Sequence, residues 1–233
     1  MAEGPPPQRQ FRQTMREREE KAMRSIAEQR EWLDGLEIGP LDPSGIEEVV
    51  GVLSRGMLDN PVHVAAFGDD PEIRQQKLRT LMSAAFRVRD LSHTIVARDE
   101  EGSIVGVCGM MSPGGCRPNL GQQVLLLPTL LRLGPRSAGR VMRWLGAWEK
   151  RDPGEHHWHL GPLAVDAHLQ SMGVGGRLMQ VFCAQMDAAR DDAYLETDKE
   201  INVRFYERFG FDVIGEENVL GVQNYFMRRS GAR

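Results

Sequence analysis

The stretch that decides the fold is Leu163-Ala164-Val165-Asp166-Ala167-His168-Leu169-Gln170-Ser171-Met172-Gly173-Val174-Gly175-Gly176-Arg177-Leu178-Met179. It begins as an apolar strand, passes through a polar turn with glycines, and continues as a helix in which Leu178, Phe182 and Met186 recur every four residues. Glycines at a helix start let backbone amides approach a ligand, and the helix dipole favours a negative charge there. The stretch therefore predicts a strand, a loop that can bind phosphate or pyrophosphate, and a helix.

Two familiar phosphate-binding loops do not fit these residues. A dinucleotide-binding loop needs a glycine or alanine three residues after Gly175, where this chain has Leu178. A Walker loop needs a lysine directly after a glycine, and no lysine of the chain follows one. On this stretch alone, an ordinary strand-to-helix turn with incidental glycines is the alternative.

Helices and strands alternate along the rest of the chain. Ser44 and Glu47 have the spacing of a capping box, and Asp70 before Pro71 has the order that opens a helix. The expected elements are helices at about 44–58 and 71–88, a hairpin of 94–98 and 104–111, a helical stretch at 119–152, a strand at 157–165, a helix to about 190, a strand at 193–196, a helix at 200–208 and two closing strands. This order predicts an α/β or α+β fold with a mixed sheet.

The composition is that of an ordinary globular protein and excludes several kinds of partner. The 233 residues, 41% hydrophobic and 27% charged, suffice for a buried core. The net charge of −4 and three cysteines without a C-x-x-C pair argue against a nucleic-acid partner and a disulfide framework. The longest apolar run, 124–131, is too short to span a bilayer, and the start has no signal-peptide pattern. We therefore expect a cytoplasmic protein without a membrane partner.

The glycine loop and two flanking stretches resemble one known family. Gln170-x-x-Gly173-x-Gly175 resembles the Q/R-x-x-G-x-G/A signature of the GNAT acetyltransferase superfamily. Downstream, an asparagine precedes a Tyr-Glu-x-x-Gly-Phe ending at 206–211, as in that family. Upstream, 157–160 and 162–165 are similar to antibiotic-modifying members, puromycin-type acetyltransferases among them. The resemblance covers roughly residues 155–229.

The resemblance implies a fold, a co-substrate and a set of binding residues. It implies a mixed, mostly antiparallel central sheet flanked by helices, in a domain of residues 41–233. It also implies that acetyl-coenzyme A is the co-substrate, that β-strand amides at 163–165 lie beside its thioester where this strand splays from its neighbour, and that loop amides hold its pyrophosphate. The implied cofactor-binding residues are Leu163, Ala164, Val165, Gln170, Ser171, Met172, Gly173, Val174, Gly175, Gly176 and Asn202.

Two segments lie outside what the family core explains. Residues 1–40 predict a charged N-terminal helical extension, either packed on the main domain or a second subunit or largely solvated. Residues 119–152 predict a helical insertion, whose apolar run 124–131 we expect to be buried, a lid or a homodimer surface being the alternatives. The arginines of this stretch could contact an anionic group, or they could form a solvated helix face. They are Arg132, Arg136, Arg140 and Arg143.

Tyr206 is the best candidate for the acid that protonates the leaving thiolate. Thr197 and Glu200 have capping-box spacing, and the resulting helix places Asn202 and Tyr206 on one face, four residues apart. Family members carry a tyrosine at the matching position as general acid. The alternative is that Tyr206 is a core tyrosine like its aromatic neighbours.

The base that removes the amine proton is open between several groups. Glu196 ends a short strand beside the expected thioester position, and His159 lies on the preceding strand with His157 on the same face. A water-relayed transfer is the further alternative. We expect no metal here, because no other cysteine or histidine lies near the two histidines at zinc-like spacing.

These observations predict an acetyl-coenzyme A-dependent N-acetyltransferase. The expected acceptor is a primary amine of a small molecule, which attacks the thioester directly in a ternary complex. A protein or peptide amine is the alternative acceptor. A non-catalytic acyl-coenzyme A-binding module with a protein partner is the alternative of another class.

Overall fold

A computed structural model describes residues 25–88, 90–115 and 119–231 of the chain. The chain divides into two compact units, Met1–Leu36 and Glu37–Arg233. In the first unit, residues 25–34 form helix α1. The part of the expected N-terminal helix before residue 25, and Cys116, lie outside the described residues.

The second unit begins with a short strand and three helices, β1 (Glu37–Pro40), α2 (Ile46–Gly56), α3 (Pro61–Phe67) and α4 (Pro71–Val88). The sheet therefore starts within the residues that the sequence assigned to the extension. The capping box of Ser44 and Glu47 is wrong: Asp42 accepts the Ser44 N–H at 2.8 Å and opens a 3-10 turn ahead of α2. Asp70 accepts two first-turn amides of α4 at 3.0 Å, as its order before Pro71 predicted.

The remaining elements follow the expected order, and their bounds are β2 (Ile95–Arg98), β3 (Ile104–Met111), α5 (Leu120–Leu133), α6 (Pro135–Arg151), β4 (Trp158–Val165), α7 (Val174–Ala189), β5 (Ala193–Thr197), α8 (Glu200–Glu207), β6 (Asp212–Val219) and β7 (Val222–Arg229). The helical stretch of the insertion is two helices. The chain breaks between them at Gly134, which adopts φ +78°, and restarts with Pro135 in the first helical turn.

The strands form one seven-stranded sheet within the described residues, in the order β1-β2-β3-β4-β5-β7-β6. Neighbouring strands are antiparallel except β4 and β5, which are parallel. The expected mixed, mostly antiparallel sheet is confirmed. The parallel pair requires a crossover, and α7 supplies it.

Helices cover both faces of this sheet. Val107 packs in a buried cluster with Val49 and Leu53 of α2. The next residue back, Gly106, faces Val174 and Leu178 of α7, because successive strand residues point to opposite faces. The four-residue apolar spacing of the α7 sequence is thus the face that packs on the strands.

Helix α5 presents an apolar face to solvent, so the expectation that this run is buried is wrong. Leu120, Val124, Leu127 and Leu131 are 81%, 62%, 53% and 82% exposed. The helix contacts α4 and α6, and its opposite side faces them, which leaves this stripe without cover among the described residues. Among the described helices, none has the length and apolar character required to cross a bilayer.

An ion pair fixes the end of β4 to the end of α2. The Arg55 guanidinium donates to both carboxylate oxygens of Asp166, whose side chain is 8% exposed. Burial alone would raise the pKa of Asp166, but the hydrogen bonds and charge of Arg55 outweigh it and hold that pKa below its usual range. Gln170 strengthens this junction, since its side-chain amide donates to the Gly56 carbonyl at 2.8 Å.

We expect Asp166→Asn to lower the free energy of unfolding near neutral pH by about 1–2 kcal/mol. The effect is smaller than for a fully buried ion pair, because the Arg55 side chain is 43% exposed and solvent screens its charge. A lowered carboxyl pKa stabilises the fold above the unfolded-state value of about 4 and ceases to do so as the pH falls through the folded-state value. Urea unfolding at pH 7 and pH 3 should therefore show a difference from wild type that shrinks at the lower pH. Glu47→Gln, which alters an exposed pair with Arg79, should change neither value. A pH-independent difference would contradict the ion-pair account.

Candidate active site

Strands β4 and β5 separate after two residue pairs. Trp158 pairs with Ala193 and His159 with Tyr194, and no later residues of the two strands pair. From Leu160 onward β4 stays bonded to β3, while β5 stays bonded to β7. A wedge-shaped opening therefore divides the sheet, with its apex at His159 and its wide end at the end of β4.

The edge of β4 offers backbone donors to this opening. The Asp166 N–H donates to the Val105 carbonyl at 3.0 Å, and residues of an antiparallel ladder alternate in direction. By that alternation Ala164 bonds to β3, whereas Leu163 and Val165 direct their amides away from β3 into the opening. Of the three expected strand residues, Leu163 and Val165 can therefore bind a ligand through the backbone, and Ala164 cannot.

The glycine loop stands at the wide end of the opening. Gly173 is the N-cap of α7 and adopts φ +102°, a left-handed conformation that residues with a side chain rarely adopt. A Cβ on Gly175 would lie 3.7 Å from both Val165 and Phe205, and a Cβ on Gly176 would meet nothing within 4 Å. The first turn of α7 thus stands between the end of β4 and α8, with its amides unobstructed on one side.

The side chain of Gln170 is used inside the protein. Its amide bonds the Gly56 carbonyl and lies 3.4 Å from the Val165 carbonyl, so it positions the loop against α2 and β4. Ser171 takes a left-handed φ of +66°, which turns the chain toward Gly173.

Helix α8 lies beside the opening and carries Tyr206. The capping box of Thr197 and Glu200 is wrong, because Lys199 is the N-cap without a side-chain bond. The Thr197 hydroxyl instead accepts from Asn202 Nδ2 at 3.2 Å, which ties Asn202 to the end of β5. Asn202 and Tyr206 are one helical turn apart, as the sequence predicted.

The phenol of Tyr206 is buried and protonated. Burial raises its pKa well above the usual 10, and the neighbouring Cys108 and Asp198 raise it further. Cys108 is the β3 residue that pairs with Leu163 of β4. Asp198 also accepts the Val62 N–H at 2.7 Å and thereby caps α3 from a distant part of the chain.

The predicted base candidates meet at the apex in a cluster of histidines and carboxylates. His159 Nε2 lies 2.8 Å from Glu196 Oε2, and its Nδ1 lies 3.3 Å from Asp152 Oδ2. The same Asp152 oxygen lies 3.6 Å from His157 Nε2. Among the described residues, the ligand-type atoms of Asp152, His157 and His159 all lie within 4.8 Å of one another.

Charge and burial distinguish two further members of this apex. Burial alone would raise the pKa of Asp152, but hydrogen bonds from His157 and His159 outweigh it and keep the carboxylate ionised. Tyr194 is fully buried, and its pKa is raised by burial and by the nearby carboxylates of Glu196 and Asp152. Its ring packs against both histidine rings, with its centroid 5.5 Å from the His157 ring centroid and 5.4 Å from the His159 ring centroid.

Sequence reasoning missed Asp152 and Tyr194. The search for partners of the two histidines considered cysteine and histidine only, although Asp152 precedes His157 by five residues. The sequence signal for Tyr194 is its position, since it shares a face of β5 with Glu196.

Two of the four arginines predicted to contact an anionic group line a groove. Arg140 and Arg143 border this groove, which has a volume of about 890 Å³ and lies beside α3 and the β6–β7 turn.

Comparisons with known proteins give one family model that matches the chain and several solved structures of similar fold. The model of the acetyltransferase (GNAT) family matches residues 58–211. No curated protein sequence matches the chain. Among solved structures, a histone acetyltransferase HPA2 and related acetyltransferase from Corynebacterium glutamicum is 22% identical with a TM-score of 0.65, over 85% of this chain and 98% of that one.

Two insect enzymes share the fold at lower identity. Arylalkylamine N-acetyltransferase 2 from Aedes aegypti is 15% identical with a TM-score of 0.56, over 84% of this chain and 98% of that one. The polyamine N-acetyltransferase of Drosophila melanogaster has the same identity and TM-score, over 84% and 99%. At these identities the likeness concerns the fold.

The left-handed conformation at Gly173 makes the loop sensitive to a single methyl group. We expect Gly173→Ala to lower the free energy of unfolding by about 1–2 kcal/mol, because an L residue is strained at this φ. Gly176→Ala is the matched control: its Cβ has room, and alanine in a helix should stabilise the ligand-free protein by roughly 0.5–1 kcal/mol. Thermal unfolding without ligand measures both. Equal effects of the two substitutions would show that the φ of Gly173 does not constrain the loop.

Proposed function

The chain belongs to the acetyltransferase (GNAT) family and is an acyltransferase, and we propose that it transfers the acetyl group of acetyl-coenzyme A to a primary amine of a small molecule. The observation that carries this proposal is the opening between β4 and β5, which ends at the glycine loop. A narrow strand-edge channel with an amide-lined anion site at its wide end suits a long, phosphate-bearing thioester.

The cofactor-binding role follows from the direction of the backbone amides. The unpaired amides of the first turn of α7, from Gly173 to Gly176, would hold the pyrophosphate, aided by the helix dipole. The pantetheine arm would lie along β4 as an added strand and bond to Leu163 and Val165. Asn202, on the α8 side of the opening, is the side chain we assign to the arm.

The reaction is a direct attack within a ternary complex. The amine nitrogen forms a bond to the thioester carbon, and the C–S bond breaks after a tetrahedral intermediate. A β4 amide stabilises the negative charge that develops on the carbonyl oxygen. The sulfur leaves with the electron pair of the broken bond and takes its proton from Tyr206, whose raised pKa keeps the phenol protonated.

The attacking nitrogen loses one proton as the tetrahedral intermediate collapses, which balances the proton that Tyr206 donates to the sulfur. A cationic amine must in addition lose a proton before the attack. Glu196 and His159 lie together at the apex, where the strands part. The sequence-based prediction that one of them accepts this proton, directly or through water, stays a prediction. The transfer described above does not depend on which group it is.

A small amine is the acceptor that the surroundings favour. The solved structures of similar fold include proteins named as acetyltransferases of arylalkylamines and polyamines. The groove beside α3 is lined by Asp59 and Asp69 as well as by Arg140 and Arg143. Since Asp59 already pairs with Arg74, Asp69 is the acidic residue that we assign to a cationic amine. Its volume of about 890 Å³ suits a small molecule.

A thiol-release assay with acetyl-coenzyme A tests the proposal. The panel contains arylalkylamines, polyamines, aminoglycosides and amino acids, with peptides bearing free N-termini as the contrasting acceptors. We expect turnover with at least one small amine and none with the peptides. Release of thiol with peptides only, or with no acceptor while acetyl-coenzyme A binds, would contradict the proposal.

Tyr206→Phe tests the acid role. The substitution removes the hydroxyl and keeps the ring in its buried site, so we expect kcat to fall about 100-fold or more while the Kd of acetyl-coenzyme A stays within twofold. Tyr225→Phe, on β7, is the matched control and should leave kcat unchanged. Full activity of the Tyr206 variant would remove this residue from the mechanism.

A further inference from the structure

The insertion and strand β4 meet at one point, where the end of α6 delivers Asp152 to the two histidines. Asp152 is the C-cap of α6, His157 directly precedes β4, and His159 is the second residue of that strand. We propose that Asp152, His157 and His159 bind a divalent first-row transition-metal cation, with Zn²⁺ as the reference ion. The site joins the insertion to the catalytic sheet, which is a role beyond acetyl transfer.

In each histidine, the ring nitrogen farther from Asp152, called the outer nitrogen below, lies within hydrogen-bond distance of an oxygen acceptor. His157 Nδ1 lies 2.8 Å from the Glu155 carbonyl, and His159 Nε2 lies 2.8 Å from the Glu196 carboxylate. A carbonyl or carboxylate oxygen can only accept, so both of these nitrogens carry the hydrogen. This fixes the tautomers in the arrangement common among metal-binding histidines, in which the second nitrogen donates to a carbonyl or carboxylate.

The inner atoms of the cluster then face one another as electron-pair donors. His157 Nε2, His159 Nδ1 and one oxygen of Asp152 surround a common point within 4.8 Å of one another. Without a metal ion, the inner nitrogens donate the hydrogen bonds to Asp152 described above; a metal ion would replace those protons and bind the three atoms through their lone pairs. A positive charge between them is required, and it comes either from additional protons or from a metal ion.

The distances from Asp152 leave room for a metal ion between the three side chains. Charge-assisted hydrogen bonds from imidazolium to carboxylate are about 2.7–2.9 Å long. The Asp152 oxygen instead lies 3.3 Å from His159 and 3.6 Å from His157. Ligand bonds of about 2.0–2.1 Å in a tetrahedron place neighbouring ligand atoms about 3.3 Å apart, which is close to the spacing observed.

A second, independent observation comes from Tyr194. Its hydroxyl is the one buried hydroxyl among the described side chains that makes no hydrogen bond of normal geometry, although the Glu196 carboxylate lies close to it. Tyr194 is fully buried, its ring packs on the edges of both histidines, and it is on the same face of β5 as Glu196. An unpaired buried hydroxyl is costly, and a metal-bound water, or the ion itself, would satisfy it.

The donor set selects the class of ion. Two imidazoles and one carboxylate suit Zn²⁺, Co²⁺ and similar first-row ions, whereas Mg²⁺ and Ca²⁺ prefer sites composed of oxygens. Three protein ligands leave a fourth position for water or for Tyr194. The cluster is nearly enclosed, with side chains of Asp152, His157 and His159 that are 10%, 5% and 13% exposed.

Metal titration of the full chain tests the proposal. After treatment with a chelator, the protein is titrated with Zn²⁺ against a chromogenic competitor, and with Co²⁺ while its visible absorption is recorded. We expect one equivalent of Zn²⁺ with a Kd of about 1 μM or lower, and Co²⁺ bands of a four-coordinate site. Bound Zn²⁺ should also raise the Tm.

Three variants separate this site from incidental binding. Asp152→Asn and His157→Ala should each weaken Zn²⁺ binding at least tenfold and abolish the rise in Tm. His156→Ala is the matched control, since His156 is adjacent in sequence but 69% exposed and pairs with Asp191. Binding of acetyl-coenzyme A at the wild-type Kd verifies that each variant is folded.

The proposal is overturned if the wild-type chain binds no stoichiometric Zn²⁺. It is equally overturned if Zn²⁺ affinity falls with His156→Ala and not with His157→Ala. Persistence of wild-type affinity in the folded Asp152→Asn protein would also overturn the assignment of Asp152 as a ligand.

Discussion

Everything at the functional centre depends on the point where two parallel strands stop pairing. β4 and β5 share only two residue pairs, at Trp158 and His159. Beyond them β4 exposes backbone groups in the middle of a sheet, where an unsatisfied amide costs as much as a lost hydrogen bond. The opening is therefore a site that water or an extended ligand must fill, and the helices are arranged around it.

The sequence predicted the elements that local chemistry determines. The alternation of apolar residues, the Asp70-Pro71 start and the glycine loop located most helices and strands to within a few residues, but β1 and α3 were missed. The three quoted motifs indicated the family. The helix caps were predicted less well. Ser44 and Thr197 have the spacing of a capping box, but in the structure the N-cap residues of the two helices are Gly45 and Lys199. Asp42 opens the first helix, and Thr197 accepts a bond from Asn202.

Contacts between distant segments could not be read from the sequence. Asp198 caps α3 across 136 residues, in place of Asn60, which makes no side-chain cap. Nothing local to α3 signals this bond. The direction of the Ala164 amide likewise depends on the register of β3 and β4. A shift of one residue would point the Ala164 amide into the opening and the Leu163 amide toward β3. Residue types at the site were thus predictable, whereas their orientation depended on tertiary contacts.

The apex needs more than its backbone pairs to remain fixed while the strands beyond it diverge. Two residue pairs supply few hydrogen bonds, each worth about 0.5–1.5 kcal/mol net. The side chains of the apex add bonds in other directions: His159 joins β4 to Glu196 on β5, and Asp152 joins both histidines to the end of α6. Because α6 also packs on α3, the cluster is connected through α6 to two helices that line the groove. The cluster therefore ties the end of α6 to the part of the β4–β5 junction where the two strands still pair.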